Sequence, residues 1–239
     1  LGTVSAAVDG NQFTRFGTNR GQALLIFLAL DSDRAHQREE LMGILWPDMP
    51  LKSAQGNLRQ TLYLLRKAFQ DAGIEASPVL STRQTVQINP DFPLVVDAHE
   101  FDSGTGGGTA ESRQEAADLY RGPFLADFFL PDSEPFEAWT AEKRAYYGRL
   151  ALDNLDQLAA DTLAQGEFAA AEAAARRAIA LDDLHEPAHR QLLQALAAGG
   201  KRGDALTHYE SFTGQLDEEL DIEPDEATKQ LIESIRQGE

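Results

Sequence analysis

From Lys52 to about Ala72, the apolar residues Ala54, Leu58, Leu62, Leu65 and Phe69 recur at spacings of four and three. At 100° per residue this pattern gathers them on one stripe of a helix that faces a core. Lys52, Ser53, Gly56, Gln60, Tyr63 and Lys67 then point away from it, with Asn57, Arg59 and Arg66 on the flanks. The outward face holds lysine, arginine, amides and a tyrosine, and no carboxylate before Asp71. Most helix faces mix both charge signs. On charge alone two readings stay open, a solvated basic surface or a surface for a polyanion.

The neighbouring segments give this helix a context. Thr3 to Val8, Asp9-Gly10 and Gln12 to Phe16 read as a hairpin, because Asp-Gly supplies the positive φ angles of a tight turn. Asn19 can cap a helix through Ala23, Leu24, Phe27 and Leu28 that ends near Asp31. A second helix is predicted from about Gln37 to Leu45, with Leu41, Ile44 and Leu45 on one face and Pro47 as its stop. After Gly73, Val79 to Ser81 and Thr85 to Ile88 read as strands around Thr82-Arg83-Gln84, and Leu94 to Val96 is a candidate third strand. Three helices followed by a hairpin with an arginine at its tip is the order of a winged helix. In that arrangement the third helix enters the major groove and the hairpin tip reaches the neighbouring backbone or minor groove.

Beyond Arg113 the chain reads as nearly all helix, rich in Ala, Leu and Glu. Gly166-Glu-Phe-Ala-Ala-Ala171 recurs as Gly200-Lys-Arg-Gly-Asp-Ala205 at an interval of 34 residues, the tetratricopeptide period, in which antiparallel helix pairs stack. Ala171 and Ala175 match Ala205 and Tyr209, and Pro187 and Pro224 open the following helices. An ordinary helical bundle is the alternative. Between the halves, residues 103–109 form a glycine-rich segment. It lacks the lysine and strict spacing of a phosphate-cradling loop, and reads as a flexible connector.

Composition changes the picture in one respect. Of 239 residues, 42% are hydrophobic and 25% charged, as in a soluble globular protein. The net charge is −18, which argues against binding nucleic acid through the overall field. That charge is unevenly placed. Residues 1–101 hold 9 Lys and Arg against 11 Asp and Glu, whereas residues 102–239 hold 12 against 28. Only the second half repels a polyanion. No cysteine is present, so disulfides, thiolate metal sites and thiol nucleophiles are excluded. No apolar run approaches the roughly 20 residues of a membrane helix, and the first residues lack a basic secretory n-region. A cytoplasmic protein without membrane contact is expected, and a start without methionine suggests a fragment.

His185-Glu186-Pro187-Ala188-His189 formally matches the zinc-protease signature. That chemistry needs both histidines one turn apart inside a helix, with the glutamate activating a zinc-bound water. Pro187 belongs at the first position of a helix, not inside one, which leaves His185 in the preceding turn. His36, His99 and His208 show no metal spacing, and there is no Gly-x-Ser-x-Gly elbow. No catalytic residue, metal or cofactor is therefore assigned.

Arg38-Glu-Glu-Leu-Met-Gly-Ile-Leu-Trp-Pro-Asp48, Ala54, Asn57-Leu-Arg-Gln-Thr-Leu62 and Leu65-Arg-Lys-Ala68 resemble the winged-helix domain of the SARP-type bacterial transcriptional activators. Leu119-Tyr-Arg-Gly-Pro-Phe-Leu125, Glu137-Ala-Trp139 with Arg144, and Leu184-His-Glu-Pro-Ala-His-Arg190 resemble the activator domain attached to it. The likeness runs on through Ala205-Leu206, Tyr209-Glu210, Leu216 to Leu220 and Glu223-Pro224. It implies a mainly α protein: a winged helix-turn-helix domain with small β-sheets over residues 1–97, then an all-α tetratricopeptide-like domain over residues 98–239. It also implies binding to double-stranded promoter DNA as a homodimer, and recruitment of RNA polymerase. By the family pattern the polymerase-contact loop is Trp46 to Lys52, including Asp48. Gly56 departs from the larger polar or basic side chain that many relatives carry there.

The expected DNA-binding residues are Ser53, Asn57, Arg59, Gln60, Tyr63, Arg66, Lys67, Thr82 and Arg83. Arg59, Arg66, Lys67 and Arg83 suit phosphates, and Asn57, Gln60 and Tyr63 suit base edges. The competing reading is a protein-interaction module whose winged helix no longer binds DNA usefully. A hydrolase is a distant third.

Overall fold

The amphipathic stripe forms a helix almost where the pattern predicts it, at α3, Leu51–Asp71 below. The computed structural model describes residues 1–8, 11–13 and 16–238. Packing divides the chain into two units. One comprises Leu1–Glu100 with Arg121–Tyr146, the other Phe101–Tyr120 with Tyr147–Glu239.

The first unit opens with strands β1 (Ala7–Val8) and β2 (Asn11–Gln12), paired antiparallel with Val8 opposite Asn11. The Asp9-Gly10 turn, and Thr14 and Arg15 of the expected second strand, lie outside the described residues. Helix α1 (Asn19–Leu30) is capped by Thr18, not by Asn19: the Thr18 hydroxyl accepts from the Gly21 amide at 2.9 Å, and Asn19 is already helical. Strand β3 (His36–Gln37), helix α2 (Arg38–Leu45) and α3 (Leu51–Asp71) follow, then β4 (Val79–Ser81) and β5 (Thr85–Ile88). The sheet order is β3-β5-β4, with His36 opposite Val86 and Ser81 opposite Val86 on the other edge.

The third strand of that sheet is therefore β3, ahead of α2, and residues 94–96 form no strand. A two-residue strand leaves no periodic signature, whereas Leu94 to Val96 has the composition of a strand but leads into α4 (Asp97–Thr105). The core of the unit takes Leu24, Phe27 and Leu28 from α1, Leu41 and Leu45 from α2, and Leu58, Leu62, Leu65 and Phe69 from α3. Residues 121–146 add Phe124, Leu130 and Phe136, all buried. Trp139 ties them in, its ring 5.1 Å from Phe27, 5.3 Å from Phe136 and 5.8 Å from Phe124.

In the second unit the glycine-rich segment is not a flexible connector. Ser103, Gly104 and Thr105 finish α4, residues 106–108 make the turn, and Thr109 caps α5 (Ala110–Leu119). A Cβ on Gly104 would lie 3.0 Å from the Cβ of Ala116, so the missing side chain lets the two helices fold closely on each other.

Helix α6 (Glu134–Ala164) contributes its residues from Tyr147 onward to this unit, followed by α7 (Phe168–Leu181), α8 (Glu186–Ala198), α9 (Arg202–Leu220) and α10 (Glu226–Gln237). The 34-residue recurrence is a recurrence of geometry. Gly166 and Gly200 both sit at φ +78°. The Glu167 amide donates to Thr162 O and the Lys201 amide to Leu196 O, each at 2.8 Å. This closes both helices with the same left-handed cap. Ala171, Ala175 and Ala205 are fully buried where the helices of this tetratricopeptide-like array approach. Pro187 is the second residue of α8, one place inside the expected first position because Glu186 is already helical, whereas Pro224 stands one residue ahead of the α10 cap Asp225.

Candidate nucleic-acid interface

Helix α3 buries Ala54, Leu58, Thr61, Leu62, Leu65, Ala68 and Phe69. Its opposite face is exposed at Lys52, Ser53, Gly56, Arg59, Gln60, Tyr63 and Lys67. The side chain of Tyr63 is 62% exposed, which sets an aromatic ring on this surface. Asp71 is the only carboxylate in the helix, so the face presents cations, amides and a phenol over five turns.

Asn57 lies on the flank and is partly covered. Its amide donates to Met49 Sδ at 3.0 Å, which turns it toward the loop ahead of the helix. Arg66 is also half-buried, and its Nη2 donates to Ser81 Oγ on β4 at 2.6 Å. At the tip of the β4–β5 hairpin Thr82, Arg83 and Gln84 are exposed. Thr82 Oγ1 accepts from the amides of Gln84 (3.1 Å) and Thr85 (2.9 Å), so the turn is closed on itself.

The loop between α2 and α3 corrects one expectation. Trp46 is only 4% exposed and cannot present a contact surface. The Arg20 guanidinium lies 5.9 Å from its ring, and Arg20 Nε donates to Leu45 O at 2.9 Å. An indole buried beside a cation supports the loop from beneath. Asp48, Met49, Pro50, Leu51 and Lys52 form the exposed surface instead.

Two residues that the sequence pattern did not single out complete the geometry. Arg38, the first residue of α2, donates through its backbone amide to Gln84 O (2.9 Å) and through Nε to Thr82 O (3.1 Å). Ser81 receives Arg66. Both bonds join positions far apart in the chain, 44 residues for Arg38 and 15 for Arg66, so no local pattern announces them.

In the second unit, the two histidines of the protease-like signature face different partners. His185 precedes α8, and its Nε2 lies 2.6 Å from Asp156 Oδ2. His189 is buried inside α8, stacked on Phe212 with ring centroids 3.7 Å apart, its Nδ1 3.0 Å from His208 Nε2. Burial holds the pKa of His189 below the usual histidine value and that of His208 down at about 4. Glu186 Oε1 accepts from the Asp225 amide at 2.7 Å, and Arg190 Nη1 donates to Asp225 Oδ2 at 2.7 Å. The signature thus clamps the start of α10. Among the described residues no group of three or more His, Cys, Asp or Glu is placed to hold a metal ion. Among them also, no helix is long and apolar enough to cross a membrane.

The transcriptional regulatory proteins EmbR of Mycobacterium bovis and Mycobacterium tuberculosis are 26% identical to this chain over 259 aligned positions, covering 98% of it. The chain spans 62% of the length of these curated relatives. A solved structure of Mycobacterium tuberculosis EmbR in complex with a low-affinity phosphopeptide superposes with a TM-score of 0.70 at 22% identity. It covers 99% of this chain and 64% of that one, and shows a shared fold, a winged helix followed by an all-α domain. Residues 97–236 match the family described as the bacterial transcriptional activator domain. The chain belongs to that family of transcriptional regulators.

Proposed function

We propose that this chain is a sequence-specific reader of double-stranded promoter DNA that recruits RNA polymerase. The observation that carries the reading is the exposed face of α3, with no carboxylate before Asp71, beside a closed hairpin tip bearing Arg83. Lys52, Arg59, Lys67 and Arg83 neutralise phosphates, and Ser53 and Thr82 add neutral donors to the backbone. Gln60, Tyr63 and Asn57 reach base edges, Asn57 after its amide leaves Met49. Exposed Asp48, Met49 and Leu51 form the polymerase contact, with Trp46 as its buried support. A single reading helix with so few cations binds weakly alone. Two copies on adjacent half-sites gain by effective concentration, roughly 10²–10⁴ in avidity, so the working form on DNA is a homodimer in the bacterial cytoplasm.

Selection from random DNA tests this reading, followed by salt titration on one half-site and on two. The expected result is a paired motif whose affinity falls steeply with salt. An unenriched pool, or equal affinity for single and paired sites, would overturn the reading and favour a protein-interaction module.

A further inference from the structure

Two arginines in the first unit point at protein, not at solvent. Arg66 leaves the flank of α3 to donate to Ser81 Oγ, at the last residue of β4. Arg38 stands at the first residue of α2, where the helix dipole disfavours a cation. Its Nε bond to the Thr82 carbonyl accounts for a charge in that position, and its backbone amide adds a bond to Gln84 O. The tip of the wing is therefore held from α2 and from α3 at once, while its own turn is closed by Thr82. A guanidinium suits this task, because its fixed planar donors impose a direction that a lysine ammonium does not.

We propose that Arg66 and Arg38 are positioning residues for DNA reading: they fix the wing tip, and with it Arg83, at a set place beside α3. Resting on the DNA-reading proposal above, this assigns to Arg66 a role other than phosphate contact. Holding the tip before DNA arrives removes an ordering cost from binding. The contribution of Arg83 then depends on Arg66, although Arg83 does not carry the bond.

Salt dependence separates the two roles. A side chain on phosphate contributes about 0.9 to the slope of log affinity against log salt, and a strut only what Arg83 loses when the tip is released. Using the whole chain and its selected DNA site, Arg66→Met, Arg38→Met and Ser81→Ala should each bind about tenfold more weakly and share the same fall in slope, at most the roughly 0.9 that Arg83 supplies. Lys67→Ala should lower the slope by about 0.9. Ser81→Thr, which keeps the hydroxyl, should restore binding. In the Arg66→Met background, Arg83→Ala should cost much less than in the wild type. A slope lowered by about 0.9 in Arg66→Met, with Ser81→Ala silent, would overturn the proposal and return Arg66 to the phosphates.

Amide exchange of the free protein tests the strut apart from DNA. Exchange at Thr82 and Gln84 should quicken in Arg66→Met and Ser81→Ala and stay unchanged in Lys67→Ala. Unaltered exchange in all three overturns the strut itself, whether or not DNA binds. Faster exchange without any DNA binding by the wild type overturns the reading function and the DNA role of the strut with it.

Discussion

The two units hold their helices together by opposite means. In the second, small residues repeat: Ala171, Ala174, Ala175, Ala178, Ala188 and Ala205 are buried, and the caps at Gly166 and Gly200 have matching geometry. In the first, nothing repeats. Aromatic rings of Phe27, Phe124, Phe136 and Trp139 meet from distant parts of the chain. Arginines satisfy carbonyls that helix ends and loops leave open: Arg20 takes Leu45 O, and Arg144 takes Phe124 O at 2.8 Å and Leu125 O at 2.6 Å. A stack of similar helix pairs needs one packing solution used again. A surface that must present a helix and a hairpin together needs individual long-range ties.

The largest expected effect breaks the aromatic unit. Phe136 is fully buried, edge-on to Phe128 and tilted against Trp139. Phe136→Ala should cost about 3–5 kcal/mol. Both tryptophans, Trp46 and Trp139, belong to the first unit, so denaturant titration followed by tryptophan fluorescence reports on it directly. An unchanged midpoint would mean that residues 121–146 do not support the first unit.

That prediction rests on residues whose allegiance the sequence does not reveal. The Ala-, Leu- and Glu-rich composition beyond Arg113 marks helix, but composition names no partner. A cut at residue 97 groups residues 121–146 with the helical half, and packing gathers them with the first hundred. Elements with a repeating local signal were legible: α3 lies within one residue of its predicted bounds, and the 34-residue interval reappears in the caps. Strand β3 was not, because two residues cannot show a period. Within the candidate site the exposed face of α3 follows from its apolar stripe alone. Burial of Trp46 and the bonds of Arg38 and Arg66 depend on chain segments that meet only on folding.

The small-residue unit should fail by overpacking. Ala171→Leu and Ala205→Leu each force a larger side chain into a fully buried position, costing roughly 1–3 kcal/mol. If the two positions are equivalent, the two losses should agree in thermal unfolding followed by circular dichroism. Unchanged unfolding in both would count against the repeat.

Acid should separate the units next. His189 and His208 are held neutral in the folded second unit by burial, while the unfolded chain protonates them near pH 6.5. Folded values below unfolded ones mean that stability is present above pH 6.5 and falls as pH drops toward about 4, where His208 titrates. In the first unit Glu40, held low chiefly by its bond to Arg34, loses its contribution only below about pH 4.5. Protection of the amides of α8 and α9, relative to the intrinsic exchange rate at each pH, should therefore fall between pH 7 and pH 5 more than in α1 and α2. His208→Gln should reduce that difference. An equal response in both units would remove the histidine pair as its cause.

The smallest effect distinguishes a reading face from a merely solvated one. Gly43 in α2 and Gly56 in α3 are both exposed helical glycines, and a Cβ at either would meet nothing within 4 Å. Each replacement by alanine should stabilise the first unit by up to about 1 kcal/mol through helix propensity alone. Their effects on DNA should differ. Gly56 stands among Lys52, Ser53, Gln60 and Tyr63, where the proposed groove wall approaches α3, so its added methyl should lower affinity while raising stability. Gly43→Ala should raise stability and leave affinity unchanged. Parallel thermal melts and binding titrations of the two variants read both quantities. Unchanged affinity in both would place Gly56 away from DNA, and with it the centre of the face that the amphipathic stripe turns outward.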